Sequence, residues 1–246
     1  MSVHLKSVAL LLGLALAGAS PGALRAETLD GLIARHVEAR GGMERLQSIE
    51  TLRASGRAKA GPGREALVTR EVKPPGRVRT EFAFQGVTAV FACDGSLCWS
   101  VEPMAGIFEA RRMSEGDASL STEHADIVGP LVDWKAKGHA VELLGKETID
   151  GQEAYKLKVT LSGGGEQIDY LDAETALLVR RETRRTLGGE LLELQTTFSD
   201  FRPVGGVVFP HLIRSSAEGR AEVLEVIVEE AELNTPIDDA RFEMPG

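Results

Sequence analysis

The stretch RVRTEFAFQGVTAVFACDGSLCWSV, residues 77–101, decides the fold of this chain. From Val78 to Phe84 one set of alternate residues is mainly apolar and the other mainly charged, which is the period of a half-buried β-strand. A turn at Gln85-Gly86 follows, the alternation resumes over Val87 to Cys93, and a second turn falls at Asp94 to Ser96. Two consecutive hairpins are therefore expected. We interpret them as the centre of one curved antiparallel sheet.

The only two cysteines, Cys93 and Cys98, lie on the two arms of the second hairpin. If Gly95-Ser96 is the two-residue loop, these cysteines are directly opposite each other, with α-carbons roughly 4.5 Å apart. That separation is near the lower limit for a disulfide. A disulfide is expected in an oxidising compartment, and two small buried thiols are the alternative. A metal site is not expected, because no paired histidines lie nearby to complete a zinc tetrahedron.

The first 26 residues have the pattern of a secretory signal. Lys6 is followed by an apolar run over Val8 to Ala17, and Ala23 to Ala26 offers a small-residue cleavage site, with Ala17 to Ala19 as an earlier one. The apolar run is too short to span a membrane. We predict export as a soluble protein, to the periplasm in a Gram-negative cell, with residues 27–246 forming a single domain.

The charge of the exported part limits its partners. Residues 27–246 carry 26 basic and 37 acidic side chains, a net charge of −11. An acidic chain with scattered Lys and Arg has no electrostatic footprint for nucleic acid. Adhesion to anionic lipid headgroups through charge is likewise disfavoured. We expect a monomer that binds no nucleic acid.

The exported part begins with a predicted helix over Thr28 to Gly42. Thr28 is a plausible N-cap, apolar residues repeat at helical spacing, and Gly41-Gly42 ends the helix. His36 lies on the apolar stripe. Two interpretations of this histidine stand: a hydrogen-bonded core residue, which is favoured, or a functional group, for which no spaced partner is found.

The segment Ser114 to Gly138 interrupts the strand pattern and is expected to be a helical or irregular insertion across one face of the sheet. It carries a charged cluster: Glu115, Asp117, Glu123, His124 and Asp126. A solvated acidic face is the favoured interpretation, and an acid/base site is the alternative.

From Ala140 onward the chain again alternates with a period of two, broken by Gly- and Asp-rich turns. About a dozen short antiparallel strands are predicted in all. The expected fold class is mainly β (α+β). It is a curled antiparallel sheet forming an incomplete β-barrel, with helices covering the concave side.

Several motifs resemble those of one known family. They are Ala39-Arg40-Gly41-Gly42, the 77–99 segment with its Cys93-Asp94-Gly95 turn, Gly129 to Asp133, Lys156 to Thr160, Tyr170-Leu171-Asp172, Leu233-Asn234 and Pro236 to Asp238. The chain is similar in these respects to the outer-membrane lipoprotein-sorting-protein-like family of periplasmic proteins, in the LolA/LolB-like superfamily. The resemblance implies an incomplete β-barrel around helices, with an apolar cavity that accepts acyl chains.

The function expected on this basis is a periplasmic carrier or chaperone of lipid or acylated lipoprotein. No cofactor is expected, and no catalytic motif of a known kind is present, so we predict that the chain is not an enzyme. The alternative is an envelope sensor that binds a membrane protein through the same fold. A weaker enzyme hypothesis requires His36, Glu123, His124 and Asp126 to converge.

The candidate cavity lining is aromatic and aliphatic. It comprises Phe82, Phe84, Phe91, Trp99, Leu131, Trp134, Leu157 and Tyr170. Each of these residues can instead belong to a filled core, because alternation is the same whether the space behind the strand is packed or empty.

Overall fold

A computed structural model describes residues 27–61, 63–123, 125–187, 190–218 and 223–245. The predicted signal segment, residues 1–26, lies outside the described residues, and so does His124.

Three α-helices accompany the sheet. They are α1 (Leu29–Ala39), α2 (Met43–Gln47) and α3 (Glu115–Glu123), and short 3-10 helices cover Pro103–Ala105 and Asp239–Arg241. As predicted, Thr28 caps α1: its hydroxyl accepts a hydrogen bond from the Gly31 amide at 3.1 Å. Gly41 follows the helix with φ of 116°, and an added Cβ there would lie 2.3 Å from the Gly206 carbonyl oxygen. Only glycine fits this close approach.

The described strands form one antiparallel sheet. They are β1 (Leu52–Ala60), β2 (Glu65–Lys73), β3 (Arg77–Phe84), β4 (Val87–Asp94), β5 (Cys98–Glu102), β6 (Ile107–Arg112), β7 (Ala140–Ile149), β8 (Gln152–Thr160), β9 (Glu166–Asp172), β10 (Leu178–Leu187), β11 (Glu190–Val204), β12 (Val207–Ala217) and β13 (Val223–Leu233). Their spatial order is β6-β5-β4-β3-β2-β1-β13-β12-β11-β10-β9-β8-β7.

Two meanders thus meet where β1 pairs with β13. Within the described strands, β6 and β7 are the two edges and do not pair with each other. The predicted incomplete barrel is confirmed, as are the two hairpins of residues 77–101.

The sheet curls around its helices. α3, which lies between the two edge strands in sequence, contacts β3, β4 and β5 on one side and β10 on the other. We call the face that carries the helices the concave face and the opposite one the convex face. The 114–138 segment therefore crosses the sheet as predicted, and α3 is its helical part.

The larger core lies on the concave face, where α1 covers the β7–β9 end of the sheet. Leu32, Val37, Leu157 and Leu171 are among its buried members. His36 lies in this core, 3 % exposed, and its Nδ1 is 2.8 Å from the Ala176 carbonyl oxygen, which accepts the Nδ1 hydrogen. His36 is thus a hydrogen-bonded core residue, the favoured interpretation of the sequence.

Arg40 connects α1 to the segment that follows α3. Its guanidinium donates to the Val128 carbonyl oxygen and lies over the Phe209 ring, with Cζ 5.5 Å from the ring centroid. Burial lowers the pKa of Arg40 to about 10. This contact fixes the chain beyond α3 against the concave face.

The convex face of β2–β5 is covered by the C-terminal segment. The Trp99 indole Nε1 donates to the Phe242 carbonyl oxygen at 2.8 Å, and the Phe242 side chain is fully buried. Arg241 donates to Glu71 at 2.9 Å. The C-terminal segment with its 3-10 helix therefore packs on part of the convex face, and the described α-helices lie on the concave one.

Candidate ligand-binding cleft

A cleft of about 440 Å³ lies on the concave face between β2–β6 and the start of the 114–138 segment. Its walls combine apolar, hydroxyl and charged side chains: Arg70, Val78, Thr80, Phe82, Phe91, Ser100, Glu102, Arg111, Arg112, Met113, Ser114, Asp117 and Ser121. Ligand sites for small molecules have volumes of roughly 300–1,000 Å³. The size is therefore that of a small-molecule site.

One end of the cleft is filled by a cross-strand row of small apolar residues. Val72, Val78, Cys93 and Cys98 are register partners on successive strands and are all buried. Cys93 and Cys98 form a disulfide with their α-carbons 4.1 Å apart, which confirms the prediction. Ala125 packs on the same row from above, so the cleft ends here.

The next row forms the floor of the cleft. Register pairing places Arg70 opposite Thr80, Thr80 opposite Phe91, and Phe91 opposite Ser100. Paired residues of antiparallel strands point to the same face. Arginine, two hydroxyl groups and an aromatic ring thus lie side by side, with Thr80 and Ser100 almost fully buried.

The third row lies towards the β3–β4 turn and lines the wider part of the cleft. Phe82 packs edge-on against Phe91, with ring centroids 6.2 Å apart. Glu102 accepts hydrogen bonds from the Ser100 hydroxyl at 2.8 Å and from Arg111 at 3.2 Å. Phe82 thus extends the aromatic wall that Phe91 begins. We call this end of the cleft, towards the β3–β4 turn, the rim.

The roof of the cleft is the chain from Met113 into α3. The Ser121 hydroxyl donates to the Met113 sulfur at 3.5 Å. Asp117 is occupied within its own turn, because its carboxylate accepts from the Ser114 hydroxyl at 2.6 Å. The roof therefore presents Met113 and Ser121 to the floor, and its one lining carboxylate is already hydrogen-bonded.

Arg70 is the unusual member of this site. No hydrogen bond or ion pair joins its side chain to another residue of the described ranges, although it lies at an inward-facing strand position. Desolvation alone lowers the pKa of Arg70, since no charged group is near enough to contribute. Arginine nevertheless remains protonated in proteins. The floor thus holds an uncompensated positive charge.

The structure distributes the eight predicted lining residues over three places. Phe82 and Phe91 line the cleft, and Phe84 follows Phe82 at the next inward-facing position towards the β3–β4 turn. Leu131 and Leu157 are fully buried in the α1 core, and Trp134 packs against that core. Leu131, Leu157 and Trp134 therefore belong to the packed core and do not line the cleft.

Trp99 and Tyr170 lie on the convex face. Trp99 is paired in register with Ala92, one position out of phase with Phe91. Tyr170 is paired with Lys156 and Arg180, whose cationic groups lie over its ring at 5.4 and 5.5 Å. Both aromatic side chains are buried by the C-terminal segment or by long charged side chains, and neither reaches the cleft.

The sequence did not predict three of the polar residues on the floor of the cleft, which are Arg70, Thr80 and Ser100. Period-two alternation places Arg70 in phase with Val68 and Val72, so a charge at an apolar position was visible in the sequence. What the sequence does not show is whether such a residue finds a partner.

The residues of the enzyme hypothesis have separate partners. His36 is bonded to Ala176, and Asp126 accepts from the Lys137 ammonium at 2.7 Å. His124 is outside the described residues. Among the residues that the structure describes, no group of three or more His, Cys, Asp or Glu is placed to hold a metal ion. In the same ranges no helix is long and apolar enough to cross a membrane.

Comparison with known proteins identifies the fold. No protein-family model and no curated protein matches the sequence. Among solved structures, a DUF1329 family protein from Desulfovibrio piger is similar with a TM-score of 0.59 and 16 % identity, over 87 % of this chain and 96 % of that one.

Two further structures have the same architecture. A LolA superfamily protein from Nitrosomonas europaea is similar with a TM-score of 0.58 and 16 % identity, over 89 % of this chain and 98 % of that one. A candidate outer membrane lipoprotein-sorting protein domain from Vibrio parahaemolyticus has a TM-score of 0.58 and 16 % identity, over 87 % and 96 % of the two chains. The chain is a half-barrel with helices on its concave face. Its fold is LolA-like.

Proposed function

We propose that this protein is a periplasmic carrier that binds the acyl chain of a lipid or lipoprotein in the concave-face cleft. The observation that carries the proposal is the cleft itself, a space of about 440 Å³ between the sheet and α3 with Phe82, Phe91 and Met113 on its walls. The signal-like segment, residues 1–26, supports export. The names of two structurally similar proteins, which refer to LolA and to lipoprotein sorting, agree with the proposal.

The volume suits one chain. A cavity of about 150 Å³ holds one benzene ring, and this cleft has roughly three times that volume. By that scale it accommodates on the order of 12 to 18 carbon atoms, which corresponds to a single acyl chain. A diacyl or triacyl lipid would keep its other chains outside the cleft.

The energetics are adequate for reversible binding. Burying a methylene group contributes about 0.8 kcal/mol, so a dozen contribute about 10 kcal/mol. Immobilising the ligand costs roughly 4–15 kcal/mol. The gain and the cost are of similar size, so binding of a chain of this length is expected to be reversible.

α3 is the element of the roof that can admit a ligand. It is a nine-residue helix with a polar sequence, EGDASLSTE. Helices of this length are marginal on their own and depend on packing for stability. Its attachment to the sheet includes Ala118, which packs on the filled end of the cleft. We infer that α3 moves to open the cleft.

A pair of α3 variants tests the proposal. Ser121 lines the cleft, whereas Ser119 is on the exposed side of the same helix. With a fluorescent dodecanoyl probe, Ser121→Trp is expected to weaken binding at least tenfold, because the indole occupies the cleft. Ser119→Trp is expected to bind as the wild type does. Equal binding by both variants, or no binding by the delipidated wild type, would contradict the proposal.

A further inference from the structure

The side chain of Arg70 makes no hydrogen bond or ion pair with another residue of the described ranges. It occupies an inward-facing position of β2, between Ala54 of β1 and Thr80 of β3 in register. Its side chain is half-buried, and a charge that is partly shielded from water is usually paired, because it loses part of its hydration. No residue of the described ranges supplies a counter-ion to Arg70.

Three of the four other charged groups around the cleft have hydrogen-bond partners. Glu102 is bonded to Arg111 and to the Ser100 hydroxyl, and Asp117 is bonded to Ser114. Arg112, an exposed residue of the edge strand β6, also lines the cleft. Three arginines and two carboxylates line the cleft in all. Arg70 is the half-buried one of the three and the one on the floor, whereas Arg111 and Arg112 are exposed on the edge strand.

A hydroxyl group and an aromatic surface follow the charge of Arg70 along the same row of the floor. Thr80 is the register partner of Arg70, and Ser100 lies two strands further along the same row. Phe82 and Phe91 begin the apolar wall that leads towards the rim. A guanidinium beside the Thr80 hydroxyl, with an aromatic wall next to it, matches a ligand with an anionic head and an apolar chain.

We propose that the cargo is an anionic amphiphile whose carboxylate or phosphate head pairs with Arg70 while its chain lies along Phe82 and Phe91. This inference rests on the proposed carrier function and narrows it: a free anionic lipid is preferred over a lipoprotein anchor or any neutral lipid. The head enters first and sits on the floor, and the chain extends along Phe82 towards the β3–β4 turn.

The test compares ligands that share a chain and differ in the head. Delipidated protein is titrated with dodecanoate, monododecyl phosphate and 1-dodecanol by displacement of a fluorescent acyl probe. Dodecanoate or dodecyl phosphate is expected to bind at least tenfold more tightly than dodecanol, which corresponds to one charge-assisted hydrogen bond. The anion that binds more tightly identifies the head group.

Variants of Arg70 test whether this residue causes the preference for an anionic head group. Arg70→Met is expected to lose the preference for the anion and to keep the affinity for dodecanol, and Arg70→Lys to retain part of the preference, since lysine keeps the charge without the planar fork. Arg57→Met is the matched control, because Arg57 lies on the convex face of β1 and is paired with Glu229. It should change neither affinity.

The outcomes separate the inference from the function on which it rests. Equal affinity for dodecanoate, dodecyl phosphate and dodecanol in the wild type would overturn the inference and leave the carrier function standing. So would Arg70-dependent displacement of the probe by inorganic phosphate alone, which would indicate a small-anion site. Failure of all three amphiphiles to bind the wild type would overturn both.

Discussion

Asp169 and Arg181 face each other across β9 and β10 on the concave face. The Arg181 guanidinium donates to both carboxylate oxygens of Asp169, at 2.7 and 2.8 Å. The Asp169 carboxylate is completely buried and also accepts from the Gln167 amide at 2.9 Å. Two of the arginines at inward-facing strand positions, Arg70 and Arg181, thus have different surroundings. Arg181 has a carboxylate of the protein, and Arg70 has none.

Removal of the Asp169 charge is expected to destabilise the fold. Asp169→Asn removes the bidentate carboxylate partner of the half-buried Arg181 and leaves it only the more distant charges of Glu123 and Asp126. Breaking a buried pair costs roughly 3–5 kcal/mol of unfolding free energy. Urea unfolding at neutral pH measures the loss. Asp200→Asn is the control, because Asp200 pairs with Arg202 on the exposed surface and such pairs contribute about 1 kcal/mol at most. Similar losses in the two variants would show that the buried pair has no special role.

Arg70→Met is expected to stabilise the ligand-free protein. The substitution removes an uncompensated charge from the cleft floor and replaces it with an apolar side chain, so the free energy of unfolding should rise by about 1 kcal/mol or more. Stability gained by removing a functional residue is a common trade-off. Thermal unfolding of delipidated protein measures the change. A loss of stability as large as that of Asp169→Asn would mean that Arg70 has a structural partner.

His36 should make stability depend on pH. Burial lowers its pKa from 6.5 to about 4, so between these values the unfolded chain binds a proton that the folded chain does not. The stabilisation is present above pH 6.5 and is lost as the pH falls towards 4, by about 3 kcal/mol in total. Urea unfolding of the wild type and of His36→Gln, whose amide can still donate to the Ala176 carbonyl, measures this term. Between pH 7 and pH 4.5 the variant should lose less stability than the wild type. Equal losses in the two proteins would show that His36 is not the group responsible.

Substitutions on the two faces of strands β3–β5 should have different effects on ligand affinity and on stability. Phe91→Ala removes apolar wall from the cleft and is expected to weaken binding of a dodecanoyl probe about tenfold, the equivalent of about 1.4 kcal/mol of lost burial. Trp99→Phe removes the hydrogen bond to the Phe242 carbonyl on the convex face. It should cost about 1 kcal/mol of stability and leave the affinity unchanged. If both variants lost affinity equally, the effect of Phe91→Ala would come from a less stable sheet and not from a lost contact with the ligand.

The fold was largely predictable because its signals are local. Alternation over residues 77–101, the Thr28 cap and the spacing of Cys93 and Cys98 each depend on neighbours in the chain. The cleft was less predictable. Trp99 and Tyr170 have the size and apolarity of lining residues, but which face they occupy depends on strand phase and on what covers the convex side.

The burial of a side chain and the identity of its hydrogen-bond partner could not be predicted from the sequence. Leu157 and Phe91 have similar patterns, yet α1 fills the space over Leu157 and leaves the space over Phe91 open. Arg70 and Arg181 both stand at inward positions, and only the fold decides that Asp169 lies opposite one of them. Such differences arise from long-range packing.

Native mass spectrometry of protein purified from the periplasm without detergent tests the central claim most directly. We predict one anionic single-chain lipid per molecule in the wild type and in Ser119→Trp, and its absence from Ser121→Trp. A wild-type protein that carries no lipid, and takes none up when incubated with dodecanoate, would contradict the claim that the concave-face cleft is an acyl-chain site.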